Sequence, residues 1–404
     1  MTNLTPIDEA ISILLNSLPA IEEIESTSLT DCVGRVLAED FTAPLDVPPH
    51  TNSAMDGYAL RSEDVKYLPV TLYISQRIIA GSVGTRLESG EAARIFTGAP
   101  LPEGADCVAM QENCRVTGNR VEILKTANSG ENLRLMGEDI TKGSIMLESG
   151  VRLTPQDLGL VASVGRSTLD TRRRLKVALI TTGNELIEPG NELLPGQIYN
   201  SNYYALAPLL RQMGCDIVES GIVDDSFEKT RNTLEQIAAK VDCVITTGGV
   251  SVGEEDHVKA AVEENGYLDL WKLAIKPGKP FASGKIMGKQ FFGLPGNPVS
   301  AFVTFLLLVK PCLLSMLGSK KVRVRGFAVK ANFSSRSLSE RQEYLRVRFQ
   351  NDETGTPFIE RCQNQSSGVG SSLAIADGLA VVPPHTEVSA GDLLEYISFS
   401  ELLR

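Results

Sequence analysis

Long apolar runs are missing from this chain. The longest, Ala301 to Val309, is too short to span a bilayer, so no membrane partner is expected. Metal-ligating patterns are sparse as well. The three histidines, His50, His257 and His385, lie far apart, and none of the seven cysteines forms a C-x-x-C pair. This spacing argues against a zinc site and leaves the cysteines as reduced residues of a cytoplasmic protein. There is no basic excess: 39 Lys and Arg stand against 50 Asp and Glu, for a net charge of -11. A nucleic-acid or anionic-membrane surface is therefore not expected. The one basic run, Arg172 to Arg174, has no aromatic company and reads as a solvated linker. No basic segment precedes an apolar one near the N-terminus, where Asp8 and Glu9 come early, so no signal peptide is expected. Neither the dinucleotide fingerprint nor a G-x-x-x-x-G-K-[ST] loop occurs, which disfavours a dehydrogenase or P-loop enzyme.

What is present is the composition of a soluble globular protein, 42% apolar and 22% charged over 404 residues. That length exceeds one ordinary core, and three or four units are expected. Ile7, Ala10, Ile11, Leu14 and Leu15 share one face of a helix over Pro6 to Ser17. Residues 43 to 49 read as extended linker. From Thr51 to about Asp139, short β-rich runs alternate with Gly, Pro and Asn turns, giving a small β domain. Thr154 and Pro155 begin a helix as N-cap and first residue.

From Leu175 strands and helices alternate. Lys176 to Ile180, Asp216 to Val223, Val241 to Ile245 and Gln290 to Gly293 read as strands. Tyr203 to Met213, after Asn200, and Phe227 to Lys240 read as helices, with Gly214 closing the first and Asp225 or Ser226 capping the second. Asn297 and Pro298 start an apolar helix to about Leu308. This order predicts a parallel sheet with right-handed crossovers. After about Val322 short strands return, at 344–349, 357–361, 379–382 and 393–397, and imply a small β-barrel or sandwich.

The exits of the four α/β strands should share one sheet edge, where open α/β sheets bind ligands. Two of them match, ALITTGNEL and CVITTGGVS. The second continues as Thr246 to Asp256, TTGGVSVGEED. Gly248, Gly249 and Gly253 permit close backbone approach and, with Ser251, can form a nest for phosphate oxygens. Glu254, Glu255 and Asp256 follow, which suggests a divalent cation bridging carboxylate and phosphate. A tight turn with a solvated acidic edge explains this stretch equally well. Between these units Lys276-Pro-Gly-Lys279-Pro is either a stiff anion-holding loop or an ordinary exposed turn. Arg346 and the turn Gln365 to Gly368 are the candidate residues of the last unit.

Taken together, NSAMDGYA, RIFTGAPLPEGAD, GEDI, TTGNEL, GQIYNSN, ITTGGVSVGEED, KLAIKPGKP and GLPGNPVSAF resemble, in order and over nearly the whole chain, the MoeA-type molybdopterin molybdenumtransferase family, which is similar to the gephyrin E domain. The pattern departs at Asn184, where many relatives carry Asp, and at Leu135-Met136, where some carry a second Arg.

The resemblance implies a fold of four units. An elongated N-terminal domain is formed by residues 1–50 and 140–172, with a β-rich domain, 51–139, inserted in it. An α/β molybdopterin-binding domain with a parallel sheet follows at 173–322, and a C-terminal β-barrel at 323–404. It also implies a homodimer that takes adenylylated molybdopterin, cleaves the adenylyl group with Mg²⁺, releases AMP and inserts molybdate. The molybdopterin adenylyltransferase is a further implied partner. Glu185, Asp225 and Asp256 match the acidic catalytic and Mg²⁺ positions. Gly248, Gly249, Ser251 and Gly253 match the pterin-phosphate loop, and Asp56, Thr97 and Asp139 match loops facing the cleft from the partner subunit. Lys276, Lys279, Ser300, Arg346 and Ser367 match molybdate-binding positions. An ADP-ribose-type pyrophosphatase would explain the glycine nest and cation but not the lysine loop or barrel. A non-enzymatic scaffold, as the gephyrin E domain partly is, is not expected, because no adenylyltransferase domain or receptor-clustering region accompanies these motifs.

Overall fold

The computed structural model describes residues 4–223, 226–249, 257–336 and 339–403. The chain divides into two compact units. One comprises residues 1–38, 150–154 and 170–404; the other comprises 39–149 and 155–169.

The larger unit opens with helix α1 (Ile7–Ser17), whose Ile7, Ala10, Ile11 and Leu14 are buried. Its α/β part then runs β1 (Leu175–Thr182), α2 (Ser201–Gln212), β2 (Cys215–Val223), α3 (Phe227–Ala238), β3 (Cys243–Thr247), α4 (His257–Glu264), β4 (Gly266–Lys272), β5 (Pro280–Ile286) and β6 (Lys289–Leu294). The sheet order is β2-β1-β3-β6-β5-β4. The first four strands are parallel, as the alternating pattern predicts. The last two are antiparallel additions that the sequence reading does not contain. Their segment is broken by Gly266, Gly278, Pro280, Gly284 and Gly288, residues that weaken a strand pattern. Gly266 and Gly284 are nonetheless strand residues, because a Cβ on either would lie 1.8 to 2.0 Å from a carbonyl oxygen of the neighbouring strand.

Period-two alternation puts opposite faces of the parallel strands into two cores. Val177, Leu179, Cys243, Ile245 and Phe292 pack with α1, α2 and the apolar helix after β6. Ala178, Ile180, Val244 and Phe291 pack with α3 and α4. A parallel sheet covered on both faces leaves its strand ends as the accessible polar backbone.

The apolar helix starts at Pro298 as expected but continues to Met316, well past Leu308. A π-turn over Phe305–Val309 joins its two α-helical parts just before Pro311. The wider turn accommodates a residue that has no N–H to donate and that clashes with a regular preceding turn. This helix is long and apolar enough to cross a membrane, but 83% of it is buried inside the protein, so it is a core helix.

The C-terminal strands β7 (Phe327–Ala331), β8 (Gln342–Asn351), β9 (Pro357–Arg361), β10 (Gly378–Val382) and β11 (Leu393–Ser398) close into a five-stranded barrel in the order β7-β9-β8-β10-β11-β7. Closure removes free sheet edges. The short strand Ile275–Lys276 pairs alongside β8.

The smaller unit is built on a six-stranded sheet ordered 107–110, 57–60, 91–95, 70–78, 120–123 and 114–117. Its two faces bury Tyr58, Leu60, Leu72 and Val121 on one side and Ala59, Ile78, Ala93 and Val108 on the other.

Leu308 is fully buried in the main core. Leu308→Ala should therefore lower stability by roughly 2–5 kcal/mol. Urea unfolding followed by circular dichroism measures this loss, and no detectable loss would contradict the core assignment.

Candidate active site

The strand register brings the four parallel exits to one edge. Thr182 lies beside Val223, Thr181 beside Thr247, and Thr247 beside Leu294. The loops leaving β1, β3 and β6, with the N-terminus of α2, enclose a cleft of about 390 Å³. Thr182, Glu185, Asn202, Gly248, Gly249 and Asn297 are among its lining residues.

The glycines are fixed by space as well as by backbone angle. Gly248 has φ +86°, and a Cβ there would lie 2.8 Å from the Thr182 carbonyl oxygen. Gly249 has φ +64°, and its Cβ would meet a Val258 methyl at 2.4 Å. Any side chain would force apart the β1 and β3 exits. The Gly248 amide donates to the Leu294 carbonyl at 3.0 Å, so the third exit is tied to the second.

Asparagines brace the other walls. Asn200, almost fully buried, donates from Nδ2 to Thr181 Oγ1 and to Glu188 Oε1, each at 3.0 Å. Its side-chain oxygen accepts from the Tyr203 amide at 3.4 Å and so caps α2. Asn202 Nδ2 donates to the Gly296 carbonyl at 2.8 Å. Asn297 occupies the N-cap position of the apolar helix, yet it makes no side-chain cap there. Its amide donates to Ser367 Oγ at 3.3 Å instead. These three residues were not among the expected site residues, although GQIYNSN and LPGNP contain them. The sequence signal is an Asn at a strand-to-helix turn, which by itself indicates only a cap.

Glu185 is exposed on the cleft, and its carboxylate forms no hydrogen bond or ion pair among the described residues. Among the described residues no three metal-ligating side chains converge. Asp225, Ser251, Gly253 and Asp256, together with Glu254 and Glu255, lie outside the described residues. The free Glu185 carboxylate at this cleft would suit Mg²⁺, which takes one or two carboxylates and completes its shell with substrate oxygens and water.

The lysine loop borders the same cleft, since Pro280 is one of its lining residues. The two lysines differ in their surroundings. Lys276 Nζ is 3.1 Å from Glu343 Oε1, on the paired barrel strand. Lys279 is exposed and makes no ion pair among the described residues. Gly278 has φ +108°, and a Cβ there would be 2.3 Å from Thr304 Oγ1, a buried hydroxyl with no hydrogen-bond partner among the described residues. Ser367 reaches the cleft wall through Asn297, and its carbonyl accepts from the Val299 amide at 3.0 Å.

Arg346 and Ser300 differ from the expectation. Arg346 is 1% exposed. Its guanidinium donates to the Asn364 and Ser366 carbonyls at 3.4 and 3.1 Å and to Ser372 Oγ at 3.2 Å. Burial pushes its pKa down. With its fork turned toward these groups, Arg346 holds the turn that presents Ser367; it is not an open anion ligand in this structure. Ser300 is buried in the apolar helix.

In the smaller unit Asp56 and Thr97 do come together. Asp56 Oδ1 accepts from the Thr97 amide at 2.9 Å and from its hydroxyl at 3.0 Å. Backbone bonds from Gly98 to Ser53 and from Ala54 to Asn132 gather the three loop motifs of this unit. Asp139 is exposed beside them, and its amide donates to the Val47 carbonyl. Leu135 and Met136 are exposed on the same segment.

Three family profiles cover most of the chain: the MoeA N-terminal region (domain I and II) over residues 5–165, a probable molybdopterin binding domain over 178–315, and the MoeA C-terminal region (domain IV) over 328–399. The chain is similar to the molybdopterin molybdenumtransferase of Haemophilus influenzae, at 37% identity over 98% of this chain and 99% of the relative. It is also similar to the Nostoc protein of that name, at 34% identity over 96% and 93%. The solved structure of a molybdopterin biosynthesis MoeA protein from Pyrococcus horikoshii OT3 matches with a TM-score of 0.85 and 30% identity, covering 98% of this chain and all, 100%, of that one.

The Thr97 amide, and after it the Thr97 hydroxyl, hold the Asp56 carboxyl below the ordinary range. This depressed value favours the ordered loop at pH above the usual carboxylate range, and the benefit is lost as pH falls through the depressed value. NMR titration should find Asp56 below a normal aspartate. Thr97→Val should raise it only part of the way, because the amide remains. A normal value in the unmutated protein would contradict the loop geometry.

Proposed function

Because the chain belongs to the MoeA-type molybdopterin molybdenumtransferase family, we propose that its strand-exit cleft takes adenylylated molybdopterin, releases AMP and inserts molybdate in a Mg²⁺-dependent reaction. The enzyme is a transferase of molybdenum cofactor biosynthesis. The reading rests most on one observation: a free carboxylate, Glu185, and the Gly248–Gly249 turn line the same cleft, and Pro280, which follows Lys279, lines it too.

The division of labour follows from those residues. The Gly248–Gly249 turn lets phosphate oxygens approach the backbone without a side chain between them. Glu185, with Asp225 and Asp256, would hold Mg²⁺, which supplies charge neutralisation for the pyrophosphate. Lys279 meets the tetrahedral dianion, and Ser367 adds a hydroxyl donor. Asn200 and Asn202 keep the surrounding loops in place. A pyrophosphatase would use the carboxylates and the glycine turn but would leave the lysine loop without a task.

The proposal extends to a cytoplasmic homodimer in which Asp56, Thr97 and Asp139 of one subunit serve the other's cleft. It also includes an encounter with the adenylyltransferase that delivers the substrate.

The test is incubation of the full chain with adenylylated molybdopterin, Mg²⁺ and molybdate, followed by assay of AMP and of active cofactor. Both should appear, and both should fall when Mg²⁺ is chelated. Glu185→Gln should slow AMP release about tenfold or more, the scale of one lost charge interaction. AMP release that is indifferent to both Mg²⁺ and Glu185 would overturn the assignment.

A further inference from the structure

The two lysines of the 276–279 loop are not electrostatically equivalent. Ile275–Lys276 pairs in parallel with Gln342–Glu343 of β8, which sets Lys276 opposite Glu343. The Gln342 amide donates to the Ala274 carbonyl at 2.8 Å and fixes this register. Across it Lys276 Nζ and Glu343 Oε1 stand 3.1 Å apart. The Glu343 side chain is 10% exposed and that of Lys276 50%. A carboxylate this buried cannot swing out to recover water, so it stays beside the ammonium. Lys279 is exposed and has no such companion among the described residues.

We propose that Glu343 sets the oxyanion affinity of this loop by competing with the incoming anion for Lys276. The inference rests on the reading of the loop as the molybdate site. A tetrahedral dianion arriving at Lys279 meets a neighbouring ammonium whose charge is already compensated, and behind it a like charge. It must share Lys276 with a resident carboxylate. Two free lysines would hold the dianion in a deeper well. A substrate that has to leave the loop for the pterin is better served by a shallow one, because tight ground-state binding adds to the barrier for transfer. Glu343 thus exchanges retention for release. Gly278, seated on Thr304, keeps the turn between the lysines closely packed.

The experiment is calorimetric titration of the full chain with molybdate at fixed ionic strength, comparing the unmutated protein with Lys279→Ala, Glu343→Gln, Lys276→Met and the Glu343→Gln/Lys276→Met double variant. Lys279→Ala should weaken binding about tenfold or more, and Glu343→Gln should tighten it about tenfold, the scale of one charge-assisted hydrogen bond. The gain should vanish when Lys276 is also replaced. A merely structural ion pair gives the opposite sign, since its loss loosens the loop and weakens binding. Weaker or unchanged binding in Glu343→Gln, with Lys279→Ala impaired, overturns the role of Glu343 and leaves the site standing. Unchanged binding in Lys279→Ala overturns the site itself. Should Glu343→Gln fail to fold, as judged by thermal unfolding, Glu343→Asp withdraws the charge by one methylene. It should then tighten binding by a smaller factor, about threefold, and a loss of affinity overturns the proposal.

Discussion

Parallel pairing is the constraint on which the site depends. β2, β1, β3 and β6 run the same way, so their chains leave from one edge. Both faces of this sheet are covered by packed side chains, and the edge is where backbone groups lose their ladder partners. Turns there must come close together without colliding. Gly248 and Gly249 meet that demand at the exit of β3, where a side chain would run into Thr182 or Val258. The matching Thr-Thr-Gly ends of β1 and β3 have the same physical origin: two neighbouring parallel strands need equally sharp exits.

Polar side chains then divide into those that hold the frame and those left free to act. Asn200, Asn202 and Asn297 donate their amides to neighbouring loops. Arg346 satisfies carbonyls of the turn carrying Ser367. Lys276 is held by Glu343. Glu185 and Lys279 are left exposed and unpaired among the described residues. An oxyanion would pair with Lys279, and a divalent cation shared with phosphate would pair with Glu185. Rigid bracing by already satisfied groups around a few unpaired charges lowers the ordering cost of binding.

The alternating segments from Leu175 onward were legible because strand and helix periods differ and each helix begins or ends on a recognisable residue. Asn200 and Gly214 bound α2 as its sequence suggests. The four parallel strands were therefore found, and with them the edge that carries the cleft. The β4 and β5 strands were not, since their glycines read as breakers; only the neighbouring backbones show why glycine is needed there. The core helix runs past Leu308, near the local end of its apolar pattern, because a π-turn carries it through Pro311. At the site, residue type identified charged candidates but not their partners. Lys276 and Lys279 look alike in sequence, and only the pairing with β8 separates them. Arg346 reads as a cation for an anion until its three partners are seen. Asn200 reads as a cap, which it is, but its bonds to Thr181 and Glu188 depend on folding that brings three segments together.

On the proposed function, the edge where the parallel strands end receives the phosphate-bearing part of the substrate. A crystal structure of the full chain grown with AMP tests this most directly. The nucleotide phosphate should be found against the backbone of Gly248 and Gly249, within the cleft bounded by Glu185, Asn202 and Asn297. An ordered nucleotide bound elsewhere on the molecule, with this cleft empty, would contradict it.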